Sequence, residues 1–233
     1  DVEYRKVLLN ADFQADAKLV IEAADDNTKV IWICSPNNPT GNLIDKETII
    51  EILNSFHGIV VLDEAYIDFA AQQSFTSQIN DYPNLIILQT FSKAWGSAAI
   101  RLGMAFASQE IISVFNKIKY PYNINLLTQG KALEMLEDEQ LVKERVKITL
   151  RERANLMDEL GKLKMVKHIY PTDANFVLVK VDDANAAYRY LVQKGIIVRN
   201  RNTVSLCLGC LRITIGTKEE NETLLRELQI FSQ

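Results

Sequence analysis

Cysteine is scarce in this chain, with three residues in 233. An odd, low count excludes a disulfide framework and points to a reducing compartment such as the cytoplasm. Long apolar runs are missing too. None reaches the roughly 18 residues that span a bilayer, so no membrane partner is expected. The opening segment DVEYRKVLLN lacks the apolar centre of a signal peptide. It also lacks an initiator Met, which suggests that residue 1 is not the first residue of the natural product. Positive charge is not in excess: the net charge is −4, which argues against a nucleic-acid partner. The only two histidines, His57 and His168, lie far from each other in the sequence. Cys207 and Cys210 have C-x-x-C spacing but no second pair or nearby histidine, so no metal is expected. There is no phosphate-binding G-x-x-x-x-G-K-[ST] loop, no internal repeat and no low-complexity tract.

What is present is ordinary globular composition, 48% hydrophobic and 24% charged, which excludes disorder, collagen and coiled coil. Val30–Cys34, Ile59–Leu62, Leu85–Gln89 and Met104–Ala107 are short, continuous apolar runs. Such runs predict strands buried on both faces, in a parallel or mixed sheet covered by helices. Between the first two, Lys46–Phe56 places Ile49, Ile50, Ile52, Leu53 and Phe56 largely on one helical face, with Asp45 as a natural N-cap. Strand, helix and strand make a βαβ unit. A long helix is expected over Glu139–Leu160, ended by Gly161. Beyond it come a strand at Asn175–Val181, a helix at Ala184–Lys194 closed by Gly195, and strands at Ile196–Arg199 and Leu211–Ile215. The capping box Thr217-x-x-Glu220 opens a last helix that ends near Phe231. The expected fold class is α/β, a mostly parallel large domain over residues 1–140 with a smaller α+β domain over 141–233.

Three strand ends carry residues suited to chemistry. The first runs into Ser35-Pro36-Asn37-Asn38-Pro39-Thr40-Gly41, the second into Asp63-Glu64-Ala65-Tyr66, the third into Thr90-Phe91-Ser92-Lys93, with Arg101 eight residues on. Ligands of open α/β sheets sit beyond the carboxyl ends of strands, so an amide, an acid, a phenol, a lysine and an arginine are expected to converge on one rim. Each signal alone is bland: S-P-N-N-P-T-G reads as a turn, an acid pair as a solvated helix start, a lone lysine as surface charge. Their order and shared location raise the functional reading above these.

Asn38-Pro39-Thr40-Gly41, Asp63-x-x-Tyr66 and Ser92-Lys93 with Arg101 resemble the fold-type I pyridoxal-phosphate aminotransferases. S-P-N-N-P-T-G, V-L-D-E-A-Y, T-F-S-K-A-W-G-x-x-x-x-R-L-G and G-C-L-R-I-T-I-G are similar to the subfamily that acts on histidinol phosphate. The likeness runs from about residue 4 to the C-terminus. Trp95 and Ser97-Ala98-Ala99 depart from it, as packing changes. The resemblance implies pyridoxal 5′-phosphate as cofactor and amino exchange between glutamate/2-oxoglutarate and the histidinol phosphate/imidazole-acetol phosphate pair. It gives Lys93 the Schiff base and the proton transfer. Asp63 would face the pyridine nitrogen, Tyr66 and Asn38 the phenolic oxygen, and Thr90, Ser92 and Arg101 the phosphate. Arg212 would clamp the substrate carboxylate; Arg199 is a candidate for the substrate phosphate or a second carboxylate, and Asn175 for the site lining. Alternatives are an aromatic or broad-range aminotransferase, a threonine-phosphate decarboxylase, or an inactive fragment acting as a binding module.

Members of the resembled family form homodimers. They also carry an N-terminal arm, a phosphate-cradling helix start, a stacking aromatic and two sheet strands that this chain lacks. One of those strands would separate Val30–Cys34 from a strand near Tyr4–Leu9. The expectation is therefore a piece of a longer protein that by itself binds cofactor poorly and has no useful transaminase activity.

Overall fold

The computed structural model describes residues 2–232, which form two compact units. The first unit holds the described residues through Pro36 together with Ile44–Lys143. Its sheet is built from β1 (Val30–Cys34), β2 (Ile59–Asp63), β3 (Leu85–Thr90) and β4 (Gly103–Ala107), in that spatial order. β1–β2 and β2–β3 are parallel, with Cys34 opposite Asp63 and Asp63 opposite Leu88. β3–β4 is antiparallel, with Thr90 opposite Gly103. Side chains alternate between faces along each strand. On one face Ile33, Val60, Leu62, Leu85 and Ile87 pack with Ile49, Ile52 and Leu53 of α2 (Lys46–Ser55) and with Ala17 of α1 (Ala17–Glu22). Val61, Asp63, Leu88 and Thr90 belong to the other face.

α3 (Gln109–Ile118) and α4 (Leu126–Leu136) follow β4. α3 buries none of its residues, and α4 buries only Ala132. Ile118, Leu126 and Leu127 remain exposed, as do Tyr120 and Tyr122 in the connection.

The second unit comprises Asn37–Leu43 and the described residues from Glu144 onward. Most of α5 (Glu139–Gly161) belongs to it, followed by β5 (Val166–Ile169), β6 (Phe176–Val181), α6 (Ala184–Gln193), β7 (Arg199–Asn200), β8 (Cys210–Thr214) and α7 (Lys218–Phe231). The sheet is antiparallel, in order β5-β6-β8-β7. Val177, Val179, Leu211 and Ile213 form one face and pack against Leu156 and Leu160 of α5, Leu191 of α6 and Leu224 and Leu228 of α7. By alternation the other face carries Phe176, Leu178 and Arg212. α7 opens with both hydrogen bonds of the capping box in place, Thr217 accepting from the Glu220 N–H and Glu220 accepting from the Thr217 N–H.

Several expectations need correction. Asp45 precedes α2 but its side chain makes no capping bond; Glu47 supplies negative charge in that first turn instead. The strand expected at Ile196–Arg199 is confined to Arg199–Asn200. Gly195 holds a positive φ of 76° and the Ile196 N–H turns back to the Leu191 carbonyl, so these residues complete the helix exit rather than join a ladder. No strand forms near Tyr4–Leu9, since a lone extended segment without a paired edge satisfies no ladder. Residues 37–43 group with the second unit rather than the first. Two cross-connections inside that unit account for this, the Asp173 N–H donating to the Gly41 carbonyl at 2.7 Å and the Leu43 N–H to Asp173 Oδ2 at 3.1 Å.

Candidate active site

In the first unit the parallel register aligns the carboxyl ends of β1, β2 and β3. Asp63 is the last residue of β2, half-buried, and its Oδ1 accepts from the Ala65 N–H at 3.0 Å. That bond turns the chain sharply and directs Tyr66 inward, where it is buried. Lys93 stands on the turn after β3, fixed by the Gly96 N–H donating to its carbonyl at 2.9 Å. Its Nζ lies 5.0 Å from the centre of the Tyr66 ring. Amine and phenol thus share one place, and the carboxylate stands three residues before the phenol.

A second cluster lies at the β3–β4 junction. The Thr90 and Ser92 hydroxyls are hydrogen-bonded at 2.9 Å, Thr90 Oγ1 accepts from the Ser92 N–H at 3.0 Å, and Thr90 also donates to the Leu102 carbonyl at 3.2 Å. Arg101 adjoins Leu102. Its left-handed φ of 53° presents an exposed guanidinium that donates to the Ala98 carbonyl at 3.0 Å. Two hydroxyls, whose hydrogens can rotate, and a guanidinium form a donor set suited to an anion with several oxygens. Trp95 packs against Phe91, ring centres 5.1 Å apart, and the Ser97 hydroxyl meets Met135 Sδ at 2.9 Å, so both departures from the resembled motif serve local packing.

Cys34, opposite Asp63, has its thiol pushed up to about 11, first by burial and then by the Asp63 charge. It stays a neutral thiol near neutrality.

The second unit gathers a different group. Arg212 Nη1 donates to Asn38 Oδ1 at 2.7 Å, and its guanidinium carbon lies 4.8 Å from the Phe176 ring centre. Arg199 is the direct cross-strand partner of Arg212. Like charges placed opposite each other are unfavourable, and the pair suits an anionic ligand with two charged groups. Asn38 is held by its loop: Asn37 Nδ2 donates to Thr40 Oγ1 at 2.7 Å, and Thr40 Oγ1 donates to Asn42 Oδ1 at 2.6 Å. Gly41 has φ +88°, and a Cβ there would sit 2.2 Å from Thr172 Oγ1. Only glycine fits. Asn175 flanks β6, where its carbonyl accepts from the Ile215 N–H at 2.9 Å; its side chain makes no hydrogen bond among the described residues.

The structure therefore brings Lys93 together with Tyr66, Thr90 with Ser92 next to Arg101, and Arg212 with Asn38. Phe176, Thr172 and Asp173 were missed by sequence reading. Phe176 looked like one more apolar strand residue, and the other two lie about 130 positions from the loop they hold. Glu64 and Gln89 were also passed over. No group of three or more His, Cys, Asp or Glu suited to a metal occurs among the described residues, and no helix among them is long and apolar enough to cross a membrane.

The first unit is an α/β unit with a mixed four-stranded sheet that carries a lysine on the turn after its third strand, at the carboxyl rim where open α/β sheets bind ligands. The family described as aminotransferase class I and II matches residues 1–228, and the chain belongs to it. The chain is 57% identical over 229 residues to a histidinol-phosphate aminotransferase of Parabacteroides distasonis, covering 98% of this chain and 66% of that protein. It is 51% identical to one of Flavobacterium johnsoniae, covering 99% and 66%. Among solved structures, the histidinol-phosphate aminotransferase of Clostridium acetobutylicum is similar with a TM-score of 0.89 and 27% identity, covering 96% of this chain and 70% of that one. The chain spans just under two thirds of the length of the curated relatives it matches.

Proposed function

We propose that the protein is a pyridoxal-phosphate-dependent aminotransferase that moves an amino group between glutamate and imidazole-acetol phosphate, giving histidinol phosphate. The carrying observation is the approach of Lys93 Nζ to Tyr66 beside Asp63 at the carboxyl rim of parallel strands. The names of the relatives supply histidinol phosphate; glutamate and imidazole-acetol phosphate are what the family resemblance implies.

The residues present fit the cofactor chemically. An amine to meet an aldehyde, a carboxylate for a pyridine nitrogen, a phenol for a phenolic oxygen, and a hydroxyl pair with a guanidinium for a phosphate are all in the first unit. When bound, the cofactor supplies an electron sink for a bond at the substrate Cα. The chain's own groups do the rest. Lys93 would hold the cofactor and, once released, would carry the proton as base and then acid. Asp63 would favour a positive charge on the ring nitrogen. In the first unit the Tyr66 hydroxyl would donate to the phenolic oxygen, and Thr90, Ser92 and Arg101 would hold the phosphate; Asn38, in the second unit, is assigned to the phenolic oxygen by the family resemblance alone. Arg212 fixes the substrate carboxylate through its planar fork, which orients the Cα–H bond. Arg199 takes the second anionic group, and Asn175 lines the site. Both half-reactions use one set of groups, so ping-pong kinetics are expected. A homodimer in the cytoplasm completes this reading.

The test is reduction with borohydride in the presence of pyridoxal phosphate, followed by peptide mass spectrometry. The expected result is a pyridoxyl mark on Lys93. A mark scattered over surface lysines such as Lys46 and Lys131, or no mark, sinks the cofactor reading. A panel of amino donors tests the substrates: preference for aromatic amino acids over histidinol phosphate would overturn the specific activity alone.

A further inference from the structure

Strand alternation divides the ends of β2 and β3 into two faces. Asp63 and Thr90 belong to one, and their sequence neighbours Glu64 and Gln89 to the other. Glu64 is only 1% exposed. A buried carboxylate is costly unless its oxygens are fully engaged. Here Glu64 Oε1 accepts from the Phe75 N–H at 2.9 Å, and Oε2 accepts from the Ser74 hydroxyl and from Gln89 Nε2 at 3.0 Å. Gln89 Nε2 also reaches Ser74 Oγ at 3.1 Å. No ion pair among the described residues includes Glu64. Hydrogen-bond donors alone offset its burial, and such charge-assisted bonds are about twice as strong as neutral ones.

The charge is felt nearby. The Asp68 carboxyl is pushed up, first by burial and then by the Glu64 charge. The backbone repeats the same tie: the Glu64 N–H donates to the Leu88 carbonyl at 2.8 Å, and the Glu64 carbonyl accepts from the Ile67 N–H at 3.0 Å, closing the turn that carries Tyr66. One buried anion thus joins the Asp63–Tyr66 turn to the strand that delivers Thr90 and Lys93.

We propose that Glu64 is a positioning residue for Lys93: paired with Gln89, it fixes the end of β3 against the Asp63–Tyr66 turn and so sets the approach of the lysine amine to the cofactor aldehyde. This rests on the cofactor reading above. A carboxylate is needed because three donors converge on it. A glutamine at position 64 would turn an amide N–H₂ towards groups that also donate. The defect in Glu64→Gln should be repaired by Gln89→Glu, since the double change exchanges amide and acid across the same hydrogen bond.

The experiment compares the unsubstituted chain with E64Q, Q89E and E64Q/Q89E, using pyridoxal phosphate at the concentration that half-marks Lys93 in the unsubstituted chain. Borohydride marking is read by peptide mass spectrometry, and visible circular dichroism reports cofactor orientation. Each single change should lower the Lys93 mark about tenfold, the size expected for losing a hydrogen bond to a charged group, and the double change should recover to within about threefold of the original. Without cofactor, the Asp68 carboxyl followed by NMR should titrate lower in E64Q, because a like charge has gone. Should E64Q fail to fold, Ser74→Ala removes one donor, keeps the carboxylate, and should lower the mark about threefold. Singles that mark Lys93 as fully as the unsubstituted chain, with the same dichroism, overturn the proposal. So does a folded double variant no better than the singles, or an unmoved Asp68. An unmarked Lys93 in the unsubstituted chain removes the cofactor reading itself, a result in which no variant takes part.

Discussion

The two units solve the problem of positioning a charged side chain in opposite ways. In the first, the reactive groups are near neighbours in sequence: Asp63 to Arg101 spans two parallel strands and their turns, and the parallel register carries them to one rim. In the second, Arg212 meets Asn38 from 174 positions away, and the loop that bears Asn38 is fastened by Thr172 and Asp173. Local assembly costs little chain entropy and leaves its trace as adjacent motifs. Distant assembly depends on loop closure and exact shape, and a single side chain can undo it.

The largest effect expected is in the first unit. In the longer protein to which this chain is expected to belong, Lys93→Ala should lower transamination by about 10²–10⁴-fold, the usual contribution of a positioned acid–base group, and abolish the pyridoxyl mark at that position, with thermal unfolding unchanged. Measured together, rate and unfolding separate chemistry from fold. A variant that unfolds earlier but still transaminates would reverse the roles given to the two units.

Gly41→Ala should do the reverse. The new Cβ would have to find room where Thr172 Oγ1 stands 2.2 Å away, on a backbone with φ +88°. Left-handed strain and overpacking together should cost about 3 kcal/mol. Hydrogen exchange should locate the loss, with amides of β6 and β8 exchanging faster while β2 and β3 keep their protection. Equal loosening of all four strands would show that the loop is not a local fastening of the second unit.

The same contrast explains what could be read from sequence. Continuous apolar runs located the strands of the first sheet, but the expected burial on both faces holds only for β2 and β3: β1 exposes Val30 and Trp32, and β4 buries none of its residues. The Thr217–Glu220 box located α7, because its two bonds are made within four residues. Lys93, Asp63 and Tyr66 were grouped from the order of their motifs and the family resemblance, and the structure shows Lys93 close to Tyr66. α3 escaped notice although its apolar residues are spaced helically, because a helix that buries nothing has no strong claim against a loop. β5 escaped because Val166–Ile169 is short and half polar. The attachment of residues 37–43 to the second unit was not legible at all, since nothing in S-P-N-N-P-T-G announces Thr172. Glu64 was quoted within a motif, but a burial of 1% with three donors cannot be inferred from a letter beside Asp63.

The smallest effect expected tests the electrostatics of the first unit's rim. The Cys34 thiol is held up to about 11 against an ordinary 9.0, by burial first and by the Asp63 charge second. A folded-state value above the unfolded one means that the native thiol holds its proton more tightly. The resulting stability is complete below about pH 9 and is lost as pH rises through about 11. Alkylation of Cys34 by iodoacetamide in the native chain should therefore be slow near neutrality and accelerate only towards pH 11. Asp63→Asn removes the second cause but not the first, so the midpoint should move down without reaching 9. An unmoved midpoint would mean that Cys34 does not feel the carboxylate, and that facing each other in the strand register is not enough to couple the two side chains. A fall all the way to 9 would make the charge, not burial, the dominant cause, and would leave the rim wetter than its half-buried residues imply.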